Sequence, residues 1–243
     1  MRSYRRAAAI LLTGAALVVG LIVGLERWSG VAAAAPLTSA PDCETIRAGL
    51  IGQPVTAWTS LAFVAVGIWV AGRTNPPAAR TRSVFAISLV AVGLGSFLAH
   101  AAQTDWGRQL DSMAIKAMLV AFIAYPASLE RNRQRRAFVR GWLLGSAGVI
   151  AVQLAWPATA RPLLVALALA ALVLAARRTT RPTRRAFIAG AGLLGLGAAA
   201  WWLGRPDGPL CSPDAVFQLH GIWHILAAAG IASVYEIYRS EPA

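Results

Sequence analysis

Long apolar runs separated by short polar or arginine-rich breaks are the feature that most limits how this chain can fold. A helical run of about 20 apolar residues is long enough to cross the hydrocarbon core of a bilayer. Such runs occur at 7–25, 54–72, 83–102, 110–129, 138–156, 162–176, 186–203 and 216–238. The sequence therefore predicts an all-α, polytopic membrane protein.

The first run differs from the others in its flanking residues. It follows the basic start Met1-Arg-Ser-Tyr-Arg-Arg6 and leads to the small residues Val31-Ala-Ala-Ala-Ala-Pro36. This pattern is typical of an export signal, and the run is also long enough to remain as an anchor. With both outcomes open, we expect a signal peptide or signal-anchor helix over 1–35 and a seven-transmembrane helix bundle over 36–243.

The net charge of +13 is distributed unevenly. With the runs threaded alternately through a membrane, one side receives the N-terminal arginines and the clusters at 131–140 and 177–185. The other side receives only Arg27, Arg47, Arg108, Arg161 and Arg205. This positive-inside pattern places the arginine-rich side and the C-terminus in the cytoplasm. Anionic lipid headgroups are the expected partner of these arginines, and nucleic acid is not expected. The alanine-rich, arginine-rich and lysine-poor composition indicates a bacterial genome of high GC content, hence the inner membrane.

All three histidines of the chain fall in apolar runs. His220 and His224 are four residues apart, so on a helix they share one face. His100 follows Ser96 by the same spacing at the end of one run, and Asp111 lies at the start of the next. The predicted topology brings all five residues to a similar depth near the outer membrane face. Ionisable groups there are costly unless they are paired or bind a metal, so they form a candidate site.

Three imidazoles with a fourth position open are a typical ligand set of catalytic zinc, which acidifies a bound water. In such a site Asp111 is the candidate general base and acid, and Ser96 the candidate donor to an oxyanion. Other interpretations stay open from the residues alone. The histidines can be packing residues or ligands of haem or copper, Asp111 a helix cap, and Ser96 a hydroxyl bonded to its own backbone. Lys116, five residues after Asp111, has no assigned role.

The only two cysteines, Cys43 and Cys211, fall in loops on the predicted outer side. Because that side is oxidising, we expect a disulfide between them, which would join the N-terminal segment to the loop before His220. The alternative is a pair of small, buried, unpaired residues.

The runs over 138–203 contain almost no ionisable side chains. Their glycines predict close helix contacts, at Gly190, Gly192, Gly195 and Gly197. An apolar wall of this kind favours a lipid substrate that enters sideways from the bilayer.

These residues resemble the signature of the alkaline ceramidase family, part of the CREST superfamily of seven-helix membrane hydrolases. The matching motifs are Ser-x-x-x-His at Ser96 and His100, the aspartate Asp111, and His-x-x-x-His at His220 and His224. Two further features resemble the ceramidase branch, namely Cys43-Glu44 before a Thr- and Ser-rich first helix and Leu219-His-Gly-Ile-Trp-His-Ile-Leu226. The resemblance covers residues 42–238, although helices four to six match only in hydrophobicity.

The resemblance implies a zinc-dependent amidase that cleaves ceramide-like N-acyl lipids to a free amine lipid and a fatty acid. It implies that His100, His220 and His224 hold zinc and that Asp111 and Ser96 serve the hydrolysis. It also implies a disulfide between Cys43 and Cys211.

Some members of that family bind calcium through acidic residues of the N-terminal segment. Asp42 and Glu44 match part of that motif, but Gln53 stands at a later acidic position, and residues 55–57 replace an asparagine-threonine pattern. Because fewer charged oxygens weaken a calcium site, we expect at most a weak site at Asp42 and Glu44.

Two other classes of function fit the same residues. One is a non-catalytic seven-helix receptor or sensor in which zinc is structural. The other is a haem or copper redox protein of the membrane. Visible absorbance distinguishes the second class, because zinc is colourless.

Overall fold

The computed structural model describes residues 42–73, 79–129 and 134–239. The segment predicted as a signal or anchor, 1–35, lies outside the described residues. Within them the chain forms seven α-helices and no strand. They are α1 (Pro54–Gly72), α2 (Ala79–Ala102), α3 (Asp105–Leu129), α4 (Gln134–Ala155), α5 (Ala160–Arg178), α6 (Arg184–Leu203) and α7 (Leu219–Arg239), with a 3₁₀ turn at Pro157–Thr159 before α5.

The predicted all-α membrane architecture is confirmed for the described part of the chain. The helices α1 to α6 each contain a segment long and apolar enough to cross a bilayer. Helix α7 has a comparable length, 21 residues, but is less apolar, because it carries His220, His224 and Glu236.

The predicted start of α3 was wrong. The helix begins at Asp105, five residues before the apolar run, so Asp111 lies in its second turn and not its first. The Thr104 hydroxyl accepts a hydrogen bond from Gly107 N (3.3 Å), and Asp105 places a negative charge in the first turn. A cap and a favourable charge allow a helix to begin in polar sequence. Only Gln103 and Thr104 therefore connect α2 to α3.

An aromatic cluster fixes one end of the bundle. The Phe85 ring of α2 lies within 6.2 Å, centroid to centroid, of rings from α3, α4 and α7, namely Phe122, Tyr125, Phe138, Tyr235 and Tyr238. Edge-on and offset aromatic pairs of this kind add to the free energy of apolar burial. Because these rings fix α2, α3 and α7 at one end of the bundle, the other ends of the three helices also keep defined positions relative to one another.

Helices α6 and α7 pack closely together at positions where α6 has glycine and therefore no side chain. A Cβ added at Gly190 would lie 3.0 Å from the carbonyl oxygen of Gly230, and one at Gly197 would lie 2.7 Å from the Trp223 ring. The prediction of close helix contacts is therefore confirmed at these two positions. It was wrong for Gly192 and Gly195, because nothing lies within 4 Å of a Cβ added there.

Replacing Gly190 by leucine should lower the thermal unfolding midpoint of the detergent-purified protein, because the side chain would force α6 away from Gly230. Overpacking of this kind costs about 1–3 kcal/mol. Gly192→Leu is the matched control on the same helix and should leave the midpoint unchanged or raise it. Equal midpoints for the two variants would contradict this packing.

Candidate metal centre

The candidate residues meet at the end of the bundle opposite the aromatic cluster. His100 is two residues before the end of α2, and His220 is the second residue of α7. Asp111 lies in the second turn of α3, which starts at the same end. Successive helices run in opposite directions, so residues far apart in sequence share this end.

The three histidines form one cluster. Their ring centroids are 5.0 Å apart for His100 and His220, 5.4 Å for His100 and His224, and 4.7 Å for His220 and His224. One nitrogen of each ring lies within 4.8 Å of the others, so the three residues are able to hold a metal ion. His100 and His224 are buried, whereas His220 is partly exposed.

An oxygen atom faces Nδ1 of each imidazole. The distances are 2.9 Å from His100 to Gln53 Oε1, 2.6 Å from His220 to Asp42 Oδ1 and 3.1 Å from His224 to the Thr56 carbonyl. A carboxylate and a carbonyl can only accept, so His220 and His224 must donate from Nδ1.

The orientation of the Gln53 amide decides whether His100 also donates from Nδ1. Gln53 Nε2 donates to the Glu44 carbonyl (2.8 Å), which leaves Gln53 Oε1 as the atom that faces His100. His100 therefore also donates from Nδ1, and each of the three rings in its neutral form has an unprotonated Nε2. A second partner that fixes the tautomer in this way is typical of metal-ligating histidines.

Ser96 and Asp111 lie beside the cluster. Ser96 Oγ is 3.4 Å from His224 Nε2, which is longer than an ordinary hydrogen bond. The α3 backbone at Asp111 packs on Gly95, because a Cβ added there would be 3.4 Å from Asp111 Cα. The Asp111 carboxylate interacts electrostatically with His220, Asp42 and Lys116.

Asp111 Oδ1 is a buried atom that has no hydrogen-bond partner among the described residues. An unsatisfied buried carboxylate oxygen is unfavourable, so this atom is available to a water or a ligand. The donor set fits a metal ion with a water beside it, since three imidazole nitrogens suit zinc and a free carboxylate oxygen adjoins them. The roles of Asp111 and Ser96 in catalysis stay predictions.

The segment 42–53 crosses the site and connects its parts. The predicted disulfide is confirmed: Cys43 and Cys211 are bonded, with Cα atoms 5.6 Å apart and a sequence separation of 168. At the other end of the segment, Gly52 N and Gln53 N donate to the carbonyls of Ala101 and His100. These bonds satisfy carbonyls in the last turn of α2.

Glu44 caps the first core helix. Its carboxylate accepts hydrogen bonds from Val55 N and Thr56 N, each 2.8 Å long, and from Thr56 Oγ1, 2.6 Å. Glu44 is buried, with 1% of its surface exposed, so its negative charge rests on these donors and on the α1 helix dipole.

Asp42 is also engaged within the protein. Burial by itself raises the pKa of this carboxyl, but His220, His100 and Arg108 outweigh it, so the pKa lies below its ordinary value of 3.8. The carboxylate is therefore ionised at neutral pH. The two acidic residues assigned to an at most weak calcium site thus contact a histidine and a helix N-terminus, and the weakness of calcium binding stays a prediction.

The sequence did not reveal the oxygens that orient the histidines. The sequence indicates Gln53 only as a departure from a calcium motif, Asp42 only as a calcium candidate, and Thr56 only as part of a Thr- and Ser-rich helix. The single signal for Asp42 was its position next to Cys43, whose partner lies in the loop before His220.

Lys116 is fully buried in the bundle, with no exposed surface. Its Nζ donates to Ser112 Oγ at 2.5 Å, and Ser112 in turn donates to Gln153 of α4 at 3.2 Å. Among the described residues no carboxylate forms an ion pair with Lys116. It lies in a polar contact between α3 and α4, outside the histidine cluster.

Comparison with known proteins gives one finding about this arrangement. The family model described as Ceramidase matches residues 48–239, a span that includes the three histidines, Ser96 and Asp111. The match begins after Asp42, Cys43 and Glu44. No curated protein matches the chain.

Addition of calcium to chelator-treated protein should leave its thermal midpoint unchanged. An ion that bound the folded state would raise the midpoint, but the oxygens of Glu44 and Asp42 already have partners in the protein. Zinc, added to a parallel sample after a zinc chelator, is the positive control and should raise the midpoint. A midpoint that rises with calcium at millimolar concentration would show a calcium site.

Proposed function

Because the chain belongs to the ceramidase family, we propose that it is a zinc-dependent integral-membrane amidase for ceramide-like N-acyl lipids. Membership makes it a hydrolase that acts on amide bonds and supports ceramide as the class of substrate. The proposal adds the metal, the residues and the products, which are a free amine lipid and a fatty acid. The observation that carries it is the cluster of three imidazoles, each fixed with Nε2 unprotonated, beside the unpaired oxygen of Asp111.

We assign the metal to His100, His220 and His224. Neutral imidazole nitrogens are borderline-soft ligands that suit zinc better than calcium or magnesium. When bound, zinc acidifies a water molecule and thereby supplies the nucleophile for amide hydrolysis.

Asp111 is the residue that moves the proton. Its free Oδ1 is available to accept a proton from the attacking water and to pass it to the departing amine nitrogen. The Gly95 contact packs the backbone of Asp111 against α2, one residue before Ser96.

Ser96 is the candidate hydroxyl donor at the site. It is buried, 3% exposed, and its long contact with His224 is weak enough to be exchanged for a contact with substrate. Donation to the carbonyl oxygen of the amide stabilises the charge that develops there.

The helix arrangement supports access from the bilayer. Helix α6 packs along α7, α5 packs on α3, and α5 and α6 touch each other at few positions. Large apolar side chains such as Val165, Leu169, Ile188 and Leu196 are exposed on these two helices. This arrangement supports entry of a long-chain lipid from the bilayer between α5 and α6.

We place the site on the outer side of a bacterial inner membrane, with the C-terminus in the cytoplasm. The support is the set of exposed arginines at the far end of the bundle, Arg136, Arg140, Arg177, Arg181, Arg184 and Arg185. Arginine-rich loops favour the cytoplasmic side, and exposed arginines bind anionic lipid headgroups.

Two alternatives are separated from this proposal by simple observations. A receptor with structural zinc would bind the metal without turnover. A haem or copper protein would absorb visible light, whereas we expect the purified protein to be colourless.

Asp111→Asn should retain zinc and lose turnover by about 10²- to 10⁴-fold, because the amide side chain cannot accept the proton. His224→Ala should lose both zinc and turnover. Fatty acid release from a long-chain ceramide in mixed micelles measures activity, and elemental analysis measures zinc.

Asp105→Asn is the control for charge, since Asp105 lies on the same helix but is exposed and pairs with Arg108. It should behave as wild type in both measurements. Normal turnover by Asp111→Asn would contradict the proposed mechanism.

A further inference from the structure

The three histidines differ in the oxygens that hold them. His100 Nδ1 is 2.9 Å from the neutral Gln53 amide and 3.7 Å from the Asp42 carboxylate, and His224 is held by a backbone carbonyl. Only His220 contacts the Asp42 carboxylate at hydrogen-bond distance, 2.6 Å. An ionised acceptor makes a hydrogen bond roughly twice as strong as a neutral one. The His220 ring therefore has the strongest partner of the three.

The His220 ring also depends more than the other two rings on its hydrogen-bond partner for a fixed orientation. Its side chain is 15% exposed, against 7% for His100, and it lies at the first turn of α7. Packing alone therefore restrains this ring less than it restrains the other two. The 2.6 Å contact with Asp42 supplies the missing restraint.

We propose that Asp42 is a positioning residue for the metal site and that the Cys43–Cys211 disulfide keeps it in position. This inference rests on the proposed metal site. Asp42 holds His220 with Nδ1 protonated and Nε2 directed to the cluster, and its negative charge makes the imidazole a better ligand.

The disulfide lies near the contact between Asp42 and His220 in sequence on both sides. Cys43 directly follows Asp42, and Cys211 lies in the loop that leads into α7. Thr45 N donates to the Pro213 carbonyl (3.0 Å), so the two segments also meet through the backbone. A bond across a sequence separation of 168 strongly limits the conformations of the chain, and here it brings an acidic side chain to the histidine it orients.

Zinc affinity of the full-length protein, measured by competition with a chromophoric chelator, tests the proposal. Asp42→Asn should bind zinc about 10- to 100-fold more weakly, the range found when a carboxylate behind a metal-bound histidine is lost. Asp105→Asn, an exposed aspartate at the same end of the bundle, should bind zinc as wild type does. A difference of less than about twofold between Asp42→Asn and wild type, with the fold intact, would overturn the proposal.

Histidine ¹⁵N NMR gives a readout that a general loss of stability would not imitate. The chain has only three histidines, so the spectrum of the metal-free protein contains three rings. In wild type all three should be protonated at Nδ1. In Asp42→Asn the His220 ring should lose this preference, and the His100 ring, which lies 3.7 Å from Asp42, should change less. An equal change at His224, which is held by the Thr56 carbonyl, would indicate a general structural defect.

The Cys43→Ser/Cys211→Ser variant tests the second part of the proposal, that the disulfide keeps Asp42 in position. It should weaken zinc binding in the same direction, and adding Asp42→Asn to it should cause little further loss, because both changes act through the same contact. Fully additive losses would overturn the role of the disulfide. A wild-type protein that binds no zinc would overturn the proposed function together with this inference, whereas normal zinc binding by Asp42→Asn would overturn the inference alone.

Discussion

Hydrogen bonds at the Nδ1 atoms of three imidazoles are the interactions on which the site depends. Their acceptors come from separate places: the carboxylate of Asp42, the amide of Gln53 and the backbone of Thr56. Because each acceptor fixes the proton on Nδ1, three unprotonated nitrogens face one another in a largely buried space. Their lone pairs repel in that low-dielectric environment, and a bound cation converts the repulsion into attraction.

The remainder of the fold serves to keep these groups together. The aromatic cluster around Phe85 fixes α2, α3, α4 and α7 at one end, and segment 42–53 joins α1, α2 and the loop before α7 at the other. The helices that carry the site are thus held at both ends. Helices α5 and α6 touch each other little and present apolar side chains outward, which leaves that side of the bundle suited to a lipid.

The sequence predicted the helices and the histidine cluster for a clear physical reason. Apolar runs of membrane length have few alternatives to helices, and histidines are rare enough in such runs to be noticed. The Cys43–Cys211 disulfide followed from the same topology. The predicted start of α3 was wrong because the Thr104 cap and the charge of Asp105 allow the helix to begin in polar sequence, where hydropathy gives no signal.

What the sequence could not give were the oxygens behind the histidines. Gln53 and Asp42 belong to an irregular segment, in which no periodicity relates one residue to another. The Thr56 acceptor is a main-chain atom, which is independent of residue type. The failed prediction at Gly192 and Gly195 has a similar origin, since the sequence does not show which face of α6 meets α7.

Zinc K-edge X-ray absorption of the detergent-purified protein tests the central claim most directly, because it reports which atoms surround the metal. We predict one bound zinc with three imidazole nitrogens at about 2.0–2.1 Å, one further light ligand and no sulfur. Absence of bound zinc, a shell with sulfur, or one with fewer than three imidazoles would contradict a catalytic centre built from His100, His220 and His224.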